Sequence, residues 1–396
     1  MLFEIVLALA IGILFGTFTG LAPGIHINLV GVFLISLSST IFLNINPIFL
    51  AVFIVSMAIT HTFIDFIPSI FLGCPDTDTE LSVLPGHELL KQGQGYQAII
   101  LTDYGSLAAI FMLLIIVIPS FWIFPKIYET TRTILPFILI GISLLLILLE
   151  KKKMSAFFVF LLTGILGFFV LNFQEIKEPL LPLLTGLFGS SMLLISIKNK
   201  VEIPKQEISK PKIDSFKPFV SSLIASPLCS FLPGLGSGQA AIIGQAISKT
   251  DKKGFLVLLG ATNTLVMGFS FVTLYLISKT RTGAANAIKQ LIGTPSLNIL
   301  ILFLGIILTV GVISFFLTDF LAKIFSEKIN KINYSLLSKI TLIILGIVIF
   351  LVSGFLGLLV LIVSTITGIY CISLGVRRTQ MMGCLLIPTI LLYLGI

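Results

Sequence analysis

The sequence predicts an all-α polytopic membrane protein, because it is too apolar and too poor in charge for a water-soluble domain. Of its 396 residues, 57% carry hydrophobic side chains and 11% are charged, and the mean hydropathy is +1.14. Soluble domains carry about 25% charged residues. Long apolar runs recur between Leu7 and Leu394, and a helix of about 20 apolar residues crosses the hydrocarbon core of a bilayer.

The charged residues indicate membrane topology rather than a polyanionic partner. The net charge of +8 comes from 25 Lys and Arg residues against 17 Asp and Glu residues. The basic residues lie in short loops between apolar runs, where they set orientation in the membrane, so no nucleic-acid partner is expected. The four cysteines form no CxxC pair, which argues against a disulfide framework or a zinc site. We expect no metal and no cofactor.

Breaking the apolar runs at charged residues, Pro and Gly gives two series of seven candidate membrane segments. A polar stretch rich in Lys, Glu and Pro separates the two series. The sequence therefore predicts a first membrane repeat over 1–197, a cytoplasmic linker over 198–217 and a second membrane repeat over 218–396. The candidate segments are 3–20, 25–42, 48–73, 98–120, 133–149, 154–172 and 180–197, then 218–233, 236–248, 254–278, 296–317, 337–352, 355–372 and 379–395.

Short motifs recur in the same order in both halves, as a duplicated unit would require. Leu-Ala-Pro-Gly at 21–24 corresponds to Phe-Leu-Pro-Gly at 231–234. Thr-His-Thr at 60–62 corresponds to Thr-Asn-Thr at 262–264. Glycine pairs at 164–167 and 354–357 continue the series. The halves are therefore predicted to be two copies of one unit.

An odd number of crossings in each unit would insert the second unit upside down. With the linker in the cytoplasm, 19 of the 25 basic residues fall on the cytoplasmic side, as the positive-inside rule requires. The sequence thus predicts inverted repeats. Segments 76–91 and 279–289 break the charge rule at the same repeat position, so we expect both to fold back into the protein body. The alternative is one miscounted segment.

Two Pro-Gly motifs interrupt the apolar segments at equivalent positions. Pro ends a helix, and the next helix begins with free backbone N–H groups that carry about half a positive charge. In inverted repeats, two such helix starts approach the membrane midplane from opposite faces. We therefore predict broken or re-entrant helices that bind an anionic substrate, the alternative being tight turns that permit close packing. The predicted binding residues are Pro23, Gly24, His26, Asn28, Pro233, Gly234, Gly236, Ser237 and Gln239.

Hydroxyl residues spaced by two follow in each half. On an extended backbone both hydroxyls can bind one solute, and membrane interiors tolerate such a backbone around a cavity. Arg281 would pair with a carboxylate substrate, whereas Asp76 and Asp78 would bind a coupling cation. The alternative is a pair of solvated loops in which these side chains cap helices. The predicted binding hydroxyls are Thr77, Thr79, Thr280 and Thr282.

A titratable pair, His61 and Asp65, lies four residues apart within an apolar run. Ionisable side chains inside membrane helices are costly and usually face the bundle interior. We predict that this pair couples transport to H⁺ or Na⁺, the alternative being a hydrogen bond to a neighbouring helix. Asn263 is the counterpart of His61 in the second half, and we include it among the substrate-binding residues.

Three stretches of the chain resemble a known family, at 20–28, 71–93 and 231–239. They are similar to the large permease subunit of the tripartite tricarboxylate transporters. In that family each half has a Pro-Gly break, and a Pro-Gly-Thr-Pro segment precedes an Asp-Gly-Tyr-Pro and a Gln-Gly motif. Here Cys-Pro-Asp-Thr at 74–77 and Pro-Gly-His-Glu at 85–88 stand at those positions. The chain therefore resembles a divergent member with an acidic segment.

The resemblance implies a multi-pass permease of the cytoplasmic membrane, in contact with membrane lipids. Such a permease takes up a small organic anion, for example a carboxylate, and uses an H⁺ or Na⁺ gradient to drive the uptake. The partners implied are an extracytoplasmic solute-binding protein and a small membrane subunit.

Two other functions compete with organic-anion transport. Helix N-termini rich in Gly and Ser also suit phosphate, so a translocase for polyprenyl phosphate or another lipid anion is the main alternative. An intramembrane enzyme would use Ser237 between Gly236 and Gly238, but Leu235 stands where a Gly-x-Ser-Gly motif needs glycine, and no HExxH motif is present. We therefore predict no enzymatic activity and no catalytic residue.

Overall fold

The fold is described from a computed structural model. In the described part of the chain all regular structure is helical, which confirms the predicted all-α class. The described residues are 2–22, 27, 30–31, 34–35, 45–72, 78–131, 135–176, 179–199, 204–213, 215–231, 236–280, 282–328 and 334–395.

The first half contains long helices interspersed with short ones. A 3₁₀ turn at Glu80–Ser82 precedes α4, and a π-helical turn at Thr185–Ser190 joins α8 to α9. The helices are α1 (Leu2–Leu21), α2 (Pro47–Ile64), α3 (Phe66–Leu72), α4 (Val83–Lys91), α5 (Gly95–Thr131), α6 (Leu135–Leu148), α7 (Lys153–Leu171), α8 (Leu180–Leu184) and α9 (Ser191–Asn199).

The second half also contains both long and short helices. A 3₁₀ turn at Arg378–Met382 precedes the last helix. The helices are α10 (Lys217–Phe231), α11 (Ser237–Ser248), α12 (Lys252–Ile277), α13 (Gly283–Ile292), α14 (Leu297–Lys328), α15 (Tyr334–Ser373) and α16 (Gly383–Leu394). The last two predicted segments before α16 meet inside α15 at Gly354, whose φ of 70° interrupts the helical backbone.

Among the described residues, seven helices are long and apolar enough to cross a membrane, so the chain is a multi-pass membrane protein. They are Leu2–Leu21, Pro47–Leu72, Gly95–Lys126, Lys153–Leu171, Lys252–Ile277, Leu297–Lys328 and Ser338–Ser373.

Two of these spans form the centre of the molecule. In its most apolar window, α12 is 94% buried and the span of α2 and α3 is 83% buried, whereas α1 is 17% buried. A helix that is apolar on all sides and buried lies in the interior of a bundle, and one that exposes apolar side chains faces lipid. Each central helix packs against a helix of the other half: α12 packs against α5, and α2 packs against α14.

The two segments that break the charge rule hold short helices packed against this centre. In the second half, Thr282 caps α13 by accepting a hydrogen bond from the Ala285 N–H at 3.2 Å, and Ala284 and Ile288 are buried. In the first half, α4 packs against α3 and α5, and Leu90 is buried. Both helices are too short to cross a bilayer. Both pack against longer helices, and the predicted fold-back into the membrane remains a prediction.

The predicted linker has an ordered contact with the first half. Residues 204–213 are not helical, and Gln206 lies buried against the turn before α5. Its Oε1 accepts from the Gly95 N–H at 2.8 Å, and its Nε2 donates to the Leu90 carbonyl at 3.1 Å. The division into 1–197, 198–217 and 218–396, the inverted orientation and the cytoplasmic side of the linker remain predictions.

Candidate functional site

Equivalent polar motifs of the two halves contact each other at the centre of the bundle. The hydroxyls of Thr62 on α2 and Thr264 on α12 lie 3.1 Å apart. Asn263 donates from Nδ2 to Asp65 Oδ2 at 2.9 Å and to the Thr62 carbonyl at 3.5 Å. All four residues are buried. The motifs that the sequence pairs as repeats are therefore partners in one buried network between α2 and α12.

His61 extends this network toward α1. Its Nδ1 lies 3.0 Å from the Thr19 hydroxyl, and its Nε2 lies 3.9 Å from Asp65 Oδ2. The predicted pair thus shares one helical face and is 3% exposed at each residue. Asp65 is the C-cap residue of α2, and its backbone N–H donates to the His61 carbonyl at 3.0 Å. His61 and Asp65 are placed to respond together to any movement of α12 through Asn263.

The start of α11 meets the acidic segment of the first half. Ser237 donates to Asp78 Oδ1 at 2.7 Å and lies 3.2 Å from the Asp78 carbonyl oxygen. Gln239 caps the helix, since its Oε1 accepts from the Gly236 N–H at 2.7 Å. Its Nε2 is buried and has no hydrogen-bond partner among the described residues. A carboxylate of the protein and an unused amide donor therefore lie together at a helix N-terminus.

The predicted binding hydroxyls serve mainly as anchors in this conformation. Thr79 Oγ1 lies 2.6 Å from the Ser69 hydroxyl, and Thr282 Oγ1 lies 2.9 Å from the Ser270 hydroxyl. Thr79 and Thr282 are counterparts in the predicted repeat. Each joins a folded-back segment to a central helix, which matches the helix-capping alternative for Thr282. Thr280 is half-buried in the non-helical stretch before α13.

Several predicted site residues lie outside the described residues. In the described part of the chain, α1 ends at Leu21, α10 ends at Phe231 and α11 begins at Ser237, and the predicted Pro-Gly breaks remain predictions. The predicted site residues outside the described part are Pro23, Gly24, His26, Asn28, Asp76, Thr77, Pro233, Gly234 and Arg281.

A cavity of about 430 Å³ opens beside α11, which we call the basic vestibule. Ser237 precedes Ile242 in the vestibule wall by five residues, or about 7.5 Å along the helix. Lys252 pairs with Glu88, and Arg377 Nε lies 3.3 Å from Glu150 Oε1. The residues that line the basic vestibule are Leu81, Pro85, Glu88, Ile242, Gln245, Thr250, Asp251, Lys252, Phe255, Val376, Arg377 and Arg378.

His87 lies beside the vestibule on α4. Burial, together with the positive charges of Lys91 and Arg378, lowers the pKa of His87 to about 4. Its Nε2 is buried without a hydrogen-bond partner in the described part of the chain. His87 is therefore neutral at physiological pH, and the positive charge of this region comes from Lys and Arg.

The structure brings together residues that sequence reasoning missed. Asp103 lies on α5 and is fully buried. Asp319 on α14 accepts from the Tyr96 hydroxyl at 2.6 Å and pairs with Lys323 at 2.6 Å. A charged residue inside the apolar segment 98–120 was a visible signal for Asp103. The vestibule had no such signal, because it combines residues from three distant parts of the chain.

Comparisons with known proteins bear on the whole chain. Residues 6–383 match the model of a family described as "Tripartite tricarboxylate transporter TctA family". The chain is also similar to the uncharacterized protein MJ1079 of Methanocaldococcus jannaschii, with 33% identity over 401 residues that cover 98% of each protein. No solved structure matches.

Proposed function

Because the chain belongs to the tripartite tricarboxylate transporter TctA family, we propose that it is the permease that carries a small organic anion across the cytoplasmic membrane. The family is one of transporter subunits rather than enzymes. The proposed substrate class is a small molecule with one or more carboxylates. Uptake is driven by H⁺ or Na⁺, and His61 and Asp65 are candidates for the coupling contact. The membrane lipids surround the exposed apolar helices.

The start of α11 is the observation that carries the proposed substrate. The first N–H groups of a helix have no intrahelical acceptor and attract anions. The buried Nε2 of Gln239 adds a side-chain donor with no partner among the described residues. A buried donor without an acceptor costs about 1 to 3 kcal/mol, and a bound carboxylate would remove that cost. The same position therefore offers backbone and side-chain donors to one anion.

Asp78 shows that a carboxylate can be bound at the start of α11. Its carboxylate accepts from Ser237 at 2.7 Å, beside the helix start that attracts anions. In the proposed cycle a substrate carboxylate replaces Asp78 at this contact. The acidic segment is then a competitor for the site rather than an obstacle to an anionic substrate.

In the proposed cycle, the basic vestibule is the path between this contact and the solvent. Its basic residues, Lys252, Arg377 and Arg378, lie on the side that the positive-inside rule assigns to the cytoplasm. A cleft with basic walls raises the local concentration of anions. In the proposed cycle the vestibule receives the substrate after it leaves α11.

The proposed assembly contains two further subunits. The family name describes a tripartite transporter, so we propose an extracytoplasmic solute-binding protein that delivers the substrate and a small membrane subunit. The exposed apolar side chains of α1 and α15 leave room for a membrane subunit as well as for lipid.

Binding of radiolabelled citrate to the purified protein tests the proposed substrate class. Gln239→Glu keeps an oxygen that caps Gly236 but replaces the free donor with a negative oxygen. We expect citrate affinity to fall at least tenfold, or about 1.4 kcal/mol. The matched control is Gln290→Glu at an exposed position of α13, which should bind like the unmodified protein.

Three outcomes have distinct meanings. Unchanged citrate affinity in Gln239→Glu would contradict the site at α11. Binding of inorganic phosphate but not of citrate by the unmodified protein would favour the lipid-phosphate alternative. Hydrolysis of a lipid or peptide that Ser237→Ala abolishes would favour an enzyme.

A further inference from the structure

Asp103 is a buried acid that the proposed substrate site does not use. It lies two turns into α5, inside the span Gly95–Lys126, and its exposed fraction is 0%. Neither Oδ1 nor Oδ2 has a hydrogen-bond partner among the described residues. Buried polar groups are normally hydrogen-bonded, and buried charges are normally paired. An acid without either kind of partner inside a membrane span is a candidate for function.

The hydroxyl groups beside Asp103 on its own helix are committed elsewhere. Thr102 donates to the Ile99 carbonyl at 2.8 Å, and Ser106 donates to the Gly260 carbonyl at 3.1 Å. The second bond crosses from α5 to α12, where the two backbones nearly touch. A Cβ atom at Gly260 would collide with the Thr102 carbonyl oxygen. Asp103 therefore lies beside a tight contact between α5 and α12, is fully buried, and receives no hydrogen bond from any described residue.

One charged residue near Asp103 is a second acid. Asp319 on α14 acts on Asp103 as a like charge, while Lys323 is engaged by Asp319. The other titratable groups that act with Asp103 are Tyr96 and Tyr104 on its own helix. The facing stretch 257–261 of α12 and residues 218–228 of α10 contain no titratable side chain, nor does α3.

Several titratable groups on the helices that pack against α5 have contacts of their own. Glu88 of α4 pairs with Lys252 at the vestibule, and His87 lies beside Lys91 and Arg378. On α2, His61 and Asp65 belong to the network with α12. No cation in the described part of the chain pairs with Asp103, so the neutral acid is the form that this environment stabilises.

We propose that Asp103 is a proton-binding site of the transport cycle. In the conformation described here its carboxyl group holds the proton. When α5 and α12 separate, the O–H bond breaks, the proton passes to water and the carboxylate remains. Reversal on the other side of the membrane completes the step. The inference rests on the proposed function, in which an ion gradient drives the solute, and it identifies the ion as H⁺.

Infrared spectroscopy of the full-length protein in liposomes tests the protonation without any solute. A protonated carboxyl group has a carbonyl stretching band that a carboxylate lacks. At neutral pH we expect such a band in the unmodified protein and its loss in Asp103→Asn. Asp103→Glu keeps an acid and should shift the band instead of removing it. Glu175→Gln, at an exposed position, is the matched control and should retain the band.

A neutral-pH spectrum of Asp103→Asn identical to that of the unmodified protein would overturn the proposal. If that variant fails to fold, the Asp103→Glu spectrum decides, because an unshifted band would then belong to another residue. Neither result depends on the identity of the solute.

Accumulation of labelled citrate in proteoliposomes under an imposed pH gradient tests the coupling. In Asp103→Asn, the gradient-driven accumulation of citrate should fall at least tenfold, whereas citrate–citrate exchange should be retained. Retained accumulation would overturn the proposal, as would accumulation that follows a Na⁺ gradient alone. If the unmodified protein takes up no citrate, the proposed substrate fails for this probe, and the infrared result still decides the protonation of Asp103.

Discussion

Asp65 and Asp103 are both buried acids near the contact between the halves, but their surroundings differ. Asp65 accepts a hydrogen bond from Asn263 at 2.9 Å and lies 3.9 Å from His61 Nε2. Asp103 has no hydrogen-bond partner among the described residues and faces the like charge of Asp319. A carboxylate with donors is stabilised as an anion, whereas one without donors is stabilised as a neutral acid. Equal burial therefore gives the two acids different chemistry.

The packing around the two acids differs in the same sense. The network of Asp65 joins side chains of α1, α2 and α12, and such bonds can break and re-form when helices move. At Asp103 the contact is between backbones, since Gly105 packs against the Val257 carbonyl and Gly260 packs against that of Thr102. The network around Asp65 therefore suits a contact between the halves that breaks and re-forms, which we call the joint. The region around Asp103 suits a site that opens only when whole helices separate.

The largest predicted effect comes from a substitution that disrupts the packing of α5 against α12 beside Asp103. Gly260→Ala places a methyl group against the Thr102 carbonyl oxygen, and overpacking of this kind costs about 3 kcal/mol. We expect a clear loss of thermal stability in detergent or a loss of folded protein. Gly305→Ala is the control, because a Cβ there meets nothing within 4 Å. Equal stability of the two variants would show that α5 and α12 are not in tight contact.

The next predicted effect is the pH dependence of stability that His87 contributes, which must be distinguished from any contribution of Asp65 or Asp103. The pKa of His87 is lowered from 6.5 to about 4, so the folded state binds its proton less readily than the unfolded state does. Its contribution to stability is complete above pH 6.5 and is lost as the pH falls toward 4. We expect a loss of about 3 kcal/mol by pH 4. His87→Gln should remove that loss in thermal unfolding measured against pH.

An unchanged pH profile in His87→Gln would assign the acid sensitivity to other groups. Pro85→Ala on the same helix is a suitable control, since it changes no titratable side chain. The profile matters for the comparison of the two acids, because an uncorrected His87 contribution would be mistaken for a property of Asp65 or Asp103.

Much of the helical order was predictable, because a bilayer imposes long apolar runs. The predicted segments 154–172 and 254–278 are close to α7 and α12. The repeat matched Thr62 with Thr264 in the sequence, but only the structure shows that their hydroxyls contact each other. The short helices α4 and α13 were predicted only as segments that fold back, since too few apolar residues distinguish them from loops.

The predicted site was partly accessible from the sequence. Pro and Gly mark the helix start at Ser237 whatever the tertiary contacts are, so this feature could be found. Its contact with Asp78 depends on folding across 159 residues of chain, and no local pattern encodes it. Asp103 was overlooked because one acid in an apolar run says nothing about its partners. Only the structure separates it from Asp65.

The smallest predicted effect measures the joint at Asp65 directly. A double-mutant cycle with Asp65→Ala and Asn263→Ala removes the hydrogen bond from either side. Interhelical hydrogen bonds in membrane proteins contribute about 1 kcal/mol, so we expect a coupling energy of that size in thermal or denaturant unfolding. The cycle of Asp103→Ala with Asn263→Ala is the matched control and should be additive, since no hydrogen bond joins those residues in the described structure. Coupling at Asp103 but not at Asp65 would reverse the roles of the two acids. Asp103 would then belong to the joint between the halves, and Asp65 would be the acid available for a proton.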